Sequence, residues 1–261
     1  MAQTLQQRMI SYEESTIQRI ISRIPVIIKI DGCSFARATK NIQKPFCHKT
    51  MAMLNGTMLS LVKKIDGAVF GYQYSDKIIV VLRNDRSENE DPWFGNDVQA
   101  MCSASASKAT YEFMNQLWEI DQPPKLEGDI GFKSVVFGIP NISEVINYII
   151  YKQYCCMQYA INESVYSVLG RNALLDGIDI EERKKILDEA ELSLDNFPAS
   201  FRHGSAAYLA PKLAQTAQGE VTHRKWLLDF DVPLFVEKRD RERLRTILST
   251  GSDIFRPERD L

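Results

Sequence analysis

The order of its apolar runs predicts an α+β fold for this chain: a palm-like, split βαβ antiparallel sheet covered by helices, with a helical and strand-bearing C-terminal extension. Three stretches carry that expectation. Residues 26–30 are a β-branched run closed by Asp31-Gly32. Residues 67–82 set two apolar runs about the polar Gln73-Tyr74-Ser75-Asp76, the pattern of a hairpin with a carboxylate at its tip. Residues 130–138 are a further apolar run, ended by Pro140. Helical spacing fills the intervals, so the chain reads strand, helix, hairpin, helix, strand, helix.

Residues 9–23 space Ile17, Ile20 and Ile21, with Ile24 just beyond, as a helix with Ser11 as its cap, and Pro25 opens the first strand. Side chains alternate along a strand, so Val26, Ile28 and Ile30 share one face and Ile27, Lys29 and Asp31 the other. Gly32-Cys33-Ser34-Phe35 is then a tight loop, and the polar loop after it carries Lys40 and Lys44. Residues 48–64 place Met51, Leu54, Met58, Leu61 and Val62 on one helical stripe. Beyond the hairpin, 84–91 are an acidic solvated loop, and 93–117 a long helix whose small residues suit close packing on a sheet. Asn141 or Ser143 caps a helix running to Leu169, stopped by Gly170-Arg171-Asn172. Residues 180–190 form a short charged helix and 194–211 a loop leading into a strand. A polar, mobile stretch at 212–222, an apolar piece at 224–235 and a charged tail from Glu237 complete the chain. No linker is evident, so one domain is expected, with its core in 1–140 and its C-terminal part in 141–261.

A chain of 261 residues, 44% hydrophobic and 25% charged, is expected to bury a sizeable core and remain soluble. Its formal charge of −2 singles out no polyanionic partner, so nucleic acid would be met by clustered rather than surplus basic residues. Cys33, Cys47, Cys102, Cys155 and Cys156 are odd in number and lack C-x-x-C spacing, which argues against a zinc site and for reduced thiols in the cytoplasm. No apolar run reaches the length of a membrane span, and the polar start MAQTLQQRMISYEES does not read as a secretory leader.

The chemistry gathers at two aspartates. Asp31 and Asp76 each close a predicted strand at the same sheet edge, an arrangement suited to a hard divalent cation. Mg²⁺ prefers oxygen ligands, usually takes one or two carboxylates, and leaves positions for phosphate oxygens and water. That is the donor set of nucleotidyl transfer. Backbone amides of the Gly32–Phe35 loop can hold phosphate oxygens where a side chain would obstruct them. Ser75, beside Asp76, is placed to touch a base or a phosphate.

Six pieces in order resemble the tRNA-His guanylyltransferase family, and look most like its guanylyltransferase-like members: PVIIKIDGCSFARATK, the KPF at Lys44–Phe46, GYQYSDK, PWFGNDVQAMCSASASKA, the strand around Gly131–Gly138, and NFPASFRHG. The resemblance implies a Mg-dependent nucleotidyltransferase with a palm-type core in 1–140, adding nucleotides to the 5′ end of tRNA in the 3′-to-5′ direction. It implies two Mg²⁺ ions held by Asp31, Asp76 and the carbonyl of Gly32, with Asp31 and Asp76 as the catalytic pair. GTP and ATP would be substrates, held by Gly32, Cys33, Ser34, Phe35, Lys44 and Ser75. The tRNA would be met by Lys152, Arg171, Arg202 and His203. The implied assembly is a homotetramer or a mixed oligomer with a related subunit, cytoplasmic and away from membranes.

Against that family pattern the chain changes several polar positions at once. Ser75-Asp76-Lys77 stands for Ser-Asp-Glu, a positive charge for a negative one beside the implied ions. Asn96, Asp97 and Ala100 occupy a helix where the family carries basic residues, Phe132-Lys133 stands for Phe-Asp, and Tyr151-Lys152-Gln153-Tyr154-Cys155 for W-R-Q-x-D. The changes cluster at the implied nucleotide pocket while the apolar framework is kept. They raise a second reading: a silent or weakened member that binds tRNA or regulates an active paralogue.

Overall fold

The computed structural model describes residues 4–86, 91–216 and 219–251, with the backbone alone at 212–216 and 219–223. In chain order it contains α1 (Leu5–Glu14), β1 (Pro25–Cys33), the one-turn α2 (Phe35–Ala38), α3 (His48–Lys64), β2 (Ala68–Tyr74), β3 (Lys77–Arg83) and α4 (Val98–Glu119). There follow β4 (Gly131–Gly138), α5 (Ile142–Leu169), α6 (Ile180–Glu189), α7 (Ala199–His203), β5 (Ser205–Thr216), β6 (Gly219–Asp229) and α8 (Lys238–Thr250). The strands form one sheet in the order β4-β1-β3-β2-β5-β6, every neighbouring pair antiparallel. β1 and β2 therefore run parallel with β3 between them, which is the split βαβ arrangement that the sequence predicts.

Alternation along the strands sends apolar side chains to both faces, and helices cover each. Val26, Ile28 and Ile30 of β1, with Ile78, Val80 and Leu82 of β3, meet Met53, Leu54, Met58 and Leu61 of α3 and Phe113 of α4. On the other face Ile27, Phe70, Tyr72, Ile79 and Val81 meet Val145, Ile146 and Ile149 of α5 and Leu244, Ile247 and Leu248 of α8. Each such aliphatic side chain contributes about 1.5–3 kcal/mol when fully buried. Gly71 lets α3 close on the sheet, because a Cβ there would lie 2.9 Å from Val62 Cγ1.

Several expected elements are corrected. The helix predicted over 9–23 is instead α1, which begins in a capping box between Thr4 and Gln7 and ends at Glu14. Ser11 caps nothing; its hydroxyl donates to the Arg8 carbonyl. The isoleucines beyond it lie outside any helix: the Ile20 amide donates to the Asn96 carbonyl, and the Val98 amide to that of Gln18. Their helical spacing reflects tertiary contact, with Ile20 and Ile24 closing over Gly138.

The long helix expected from 93 starts at Val98, where Asp97 accepts the Ala100 amide as N-cap, after a 3-10 turn at Trp93–Asn96. Asn141 does cap α5, by accepting the amide of Glu144. The loop expected at 194–211 contains α7, and the stretch expected to be mobile at 212–222 has its described backbone in β5 and β6. Polarity misled there because β5 pairs with β2 only through Ser205–Tyr208, and the remainder of the β5–β6 pair extends past the sheet. The charged tail carries α8, whose buried Leu244, Ile247 and Leu248 recur at helical spacing among arginines. Of the acidic loop at 84–91, residues 87–90 lie outside the described residues.

Candidate active site

The end of β1 and the β2–β3 turn are tied together by one hydrogen bond: the Gly32 amide donates to the Asp76 carbonyl at 3.0 Å. A Cβ at Gly32 would lie 3.0 Å from Phe35 Cβ and 3.1 Å from Asp76 Oδ2, so the missing side chain is what admits the Asp76 carboxylate against the end of β1. Ser75 takes a left-handed φ of 51° to reverse the chain. Its carbonyl accepts from Gln73 Nε2 at 2.7 Å, and its hydroxyl lies 3.2 Å from Asp76 Oδ1.

Both carboxylates carry a lysine. Lys29 Nζ is 2.8 Å from Asp31 Oδ2, and Lys77 Nζ is 2.6 Å from Asp76 Oδ1. Carboxylate and carbonyl oxygens are the donors that Mg²⁺ prefers, and two carboxylates are as many as it usually takes, so Asp31, Asp76 and Gly32 fit that ion in kind. Among the described residues no cluster of three or more carboxylates, imidazoles and thiols forms elsewhere or here. Charge is the obstacle, since an ion entering this site has to displace the lysines.

A shallow cleft, open to solvent, lies beside Ser75 at the β2–β3 turn, its walls also including Phe35, Lys44, Phe46, Tyr159 and Phe201. Lys44 Nζ lies 3.8 Å from Glu163 Oε2. Arg171 grips the same carboxylate through both terminal nitrogens. Burial lowers the pKa of Lys44, with the Glu163 charge opposing. Burial also pushes the Tyr159 phenol up to about 12, against a contact with Ser75 that favours its ionised form.

From α5, Lys152 comes within the field of Asp31. It is 8% exposed, and its ammonium lies over the rings of Tyr148, 5.1 Å from the centroid, and Tyr151, at 4.7 Å. Burial lowers its pKa, and the charges of Lys29, Asp31 and Lys77 all reach it.

A family model for tRNAHis guanylyltransferase (Thg1) matches residues 6–140. The chain belongs to the tRNAHis guanylyltransferase family. Among solved structures it is similar to a bacterial tRNA(His) guanylyltransferase (Thg1)-like protein in complex with ATP, at TM-score 0.79 and 24% identity over 94% of this chain and 99% of that one. The same description in complex with GTP aligns at TM-score 0.73, 24% identity, 94% and 99%. The tRNA(His) guanylyltransferase of Saccharomyces cerevisiae aligns at TM-score 0.63, 18% identity, 82% and 94%. At these identities the likeness establishes the fold. Comparison with curated proteins found no match. Membership makes the chain a protein of a nucleotidyltransferase family, with a palm-type α+β sheet.

Of the family positions carried onto this chain, Asp31, Gly32, Cys33, Ser34, Phe35, Ser75 and Asp76 come together at one end of the sheet. Lys44 stands across the cleft, Lys152 joins from α5, and Arg171 is linked through Glu163. The Gly32 amide is occupied by Asp76 and does not serve a phosphate; those of Ser34 and Phe35 lead into α2, whose first amides have no intrahelical acceptor. Arg202 pairs with Asp195 at 2.5 Å, and His203 sits near Val232 and Asp231, its pKa lowered by burial. No described contact brings either side chain to Asp31 or Asp76.

Three participants escaped the sequence reading. Lys29 was legible from strand alternation, two residues before Asp31 on the same face. Tyr148 was legible as the i,i+4 neighbour of Lys152 on α5. Glu163 had no signal, because its partner Lys44 is remote in sequence. Among the described residues no helix is long and apolar enough to cross a membrane.

Proposed function

We propose that the chain is a nucleotidyltransferase that adds nucleotides to the 5′ end of a tRNA in the 3′-to-5′ direction, with GTP or ATP as substrates and Mg²⁺ as cofactor. The observation that carries this reading is the meeting of the two aspartate-bearing segments at the Gly32–Asp76 hydrogen bond, beside a cleft walled by Phe35, Ser75 and Tyr159.

Asp31, Asp76 and the Gly32 carbonyl would hold the Mg²⁺, two ions in the sequence-based expectation, and when bound it neutralises triphosphate charge and favours an ionised hydroxyl. The amides at Cys33, Ser34 and Phe35 hold phosphate oxygens, and Ser75 fixes the turn that presents Asp76. Phe35, Phe46 and Tyr159 give a base an apolar wall that excludes water from the cleft. Lys44 stands at the cleft, and Lys152, Arg171, Arg202 and His203 meet the RNA, Arg202 after leaving Asp195.

The same domain is proposed to comprise the core of 1–140 and the C-terminal part of 141–261, a unity supported by the pairing of β5 with β2 and the packing of α5 under the sheet. A homotetramer or a mixed oligomer with a related subunit is supported by α1, which buries none of its residues and exposes Leu5, Met9, Ile10 and Tyr12. A cytoplasmic compartment agrees with five free cysteines.

The test is incubation of a 5′-truncated tRNA with Mg²⁺ and radiolabelled nucleoside triphosphates. The tRNA gains a nucleotide, and Asp76→Ala abolishes the gain. A second reading, a silent or weakened tRNA-binding or regulatory subunit, is favoured by the 2.6 Å contact that seats Lys77 on Asp76. Tight tRNA binding without addition at any Mg²⁺ concentration selects it.

A further inference from the structure

The sheet register builds a row of charge at the open end of the sheet. Asp31 on β1 stands opposite Lys133 on β4 and opposite Lys77 on β3. Cross-strand partners project to the same face, and Lys29 shares it by alternation. Lys152 reaches that face from α5, within the field of Lys29, Asp31 and Lys77. Four lysines thus stand about Asp31, and one of them, Lys77, reaches the Asp76 carboxylate. Lys29 and Lys77 are paired with those carboxylates. Lys133 is exposed and Lys152 nearly buried, and among the described residues neither has a carboxylate at ion-pair distance.

A second observation points to a missing acceptor. The Tyr148 hydroxyl is buried without a hydrogen-bond partner, on a ring that lies under the Lys152 ammonium and within reach of the Asp31 charge. A buried donor left unpaired is costly, and so is a buried ammonium without an anion. Two such donors side by side are satisfied together by one anionic ligand with several oxygens. Phosphate oxygens meet that description, and lysine is a point-charge partner for them.

We infer that this end of the sheet binds a polyphosphate chain in the absence of divalent cation, held by Lys77, Lys133, Lys152 and the Tyr148 hydroxyl, with Lys77 moving from Asp76 to the polyphosphate. The inference rests on the reading of this site as a nucleotide site and adds the lysines as its built-in countercharge. Its consequence is an order of events. A cation arriving alone has to displace Lys77, whereas polyphosphate draws Lys77 away and leaves Asp76 open. Cation and polyphosphate are therefore positively coupled through one side chain, reciprocally in affinity.

The experiment is calorimetric titration of the full chain in EDTA with inorganic tripolyphosphate, ATP, a 5′-triphosphorylated RNA hairpin and its 5′-hydroxyl counterpart. Tripolyphosphate binds, and Lys133→Met and Lys152→Met each weaken it by about tenfold, the size of one lost charge-assisted contact. Lys77→Met has effects of opposite sign: it weakens tripolyphosphate in EDTA and strengthens Mn²⁺ binding to the nucleotide-free protein, read by electron paramagnetic resonance, each by about tenfold. Lys77→Arg keeps the charge and retains tripolyphosphate binding. ATP binding tighter than the RNA names free nucleotide as the source of the phosphates; preference for the triphosphorylated RNA names an RNA end; either ranking supports the site. No binding in EDTA, or binding that these substitutions leave unchanged, overturns the inference. Lys133 is exposed, so its variant folds and keeps the test decisive. Loss of nucleotide addition with tripolyphosphate binding intact counts against the proposed activity alone, and addition in Mg²⁺ without any binding in EDTA counts against this inference alone.

Discussion

Asp31 on β1 and Lys77 on β3 stand directly opposite one another in the sheet, yet each makes its ion pair elsewhere. Asp31 is held by Lys29 at 2.8 Å and Lys77 holds Asp76 at 2.6 Å. The strand register thus fixes Asp31 opposite Lys77, and the turn before β3 sets the Asp76 carboxylate on the Lys77 ammonium. Both carboxylates are thus neutralised by ammonium groups, a charge that opposes the entry of a cation.

Replacing Asp31 by asparagine removes its charge without removing bulk. On the proposed function, Asp31→Asn lowers the rate of nucleotide addition to tRNA by about a hundredfold or more, the usual effect of deleting one group of a preorganised charge-stabilising set. Single-turnover kinetics at saturating triphosphate measure it. Wild-type rates in this variant would show that the carboxylate has no part in the chemistry.

Gly32→Ala tests the close approach of the two carboxylates. The new methyl would sit 3.0 Å from Phe35 and 3.1 Å from Asp76 Oδ2, so one of them shifts. Overpacking of this kind costs about 1–3 kcal/mol. Urea unfolding reads that loss, and nucleotide addition falls with it because Asp76 moves. Full activity in a folded Gly32→Ala protein would mean that the Asp76 position is not critical.

Tyr72→Phe tests how the sheet holds α7. The buried Tyr72 hydroxyl donates to the His203 carbonyl at 2.6 Å, the end of a turn that also supplies Phe201 to the cleft. Its removal leaves that carbonyl with only a long contact from Gln153 Nε2, 3.4 Å. The expected cost is about 1–3 kcal/mol, read as a lower urea midpoint.

His203 gives stability a pH dependence of known sign. Burial, aided by the Arg202 charge, holds its pKa below the usual 6.5 in the folded chain. The unfolded chain then binds more protons in that range. The His203 contribution is complete above the unfolded value, near 6.5, and is lost as pH falls through the lower folded value. Urea midpoints at acidic and neutral pH should differ less in His203→Gln than in the wild type. An equal difference in both proteins would assign the pH dependence to other groups.

The sequence by itself determined the framework. Period-two and helical patterns fixed β1, the β2–β3 hairpin, α3, β4 and α5, because a buried face of a strand or helix writes its periodicity into the chain. The same logic delivered Asp31 and Asp76 to one edge, since each closes an apolar run that has only one place in a split βαβ sheet. Where a signal was tertiary, it misled: Ile17, Ile20 and Ile21 repeat like a helix, yet Ile20 lies outside any helix and bonds through its backbone to Asn96, in the turn before α4.

Only the tertiary structure decided which charges meet. The neighbours Asp76 and Lys77 were visible as letters, but alternation along a strand would have turned them apart, whereas at the end of a turn they pair. Lys133 and Lys152 join Asp31 through strand register and helix packing, contacts between segments about a hundred residues or more apart in the chain. Local periodicity reports which side of an element is apolar; it carries no record of which distant element will lie across from it.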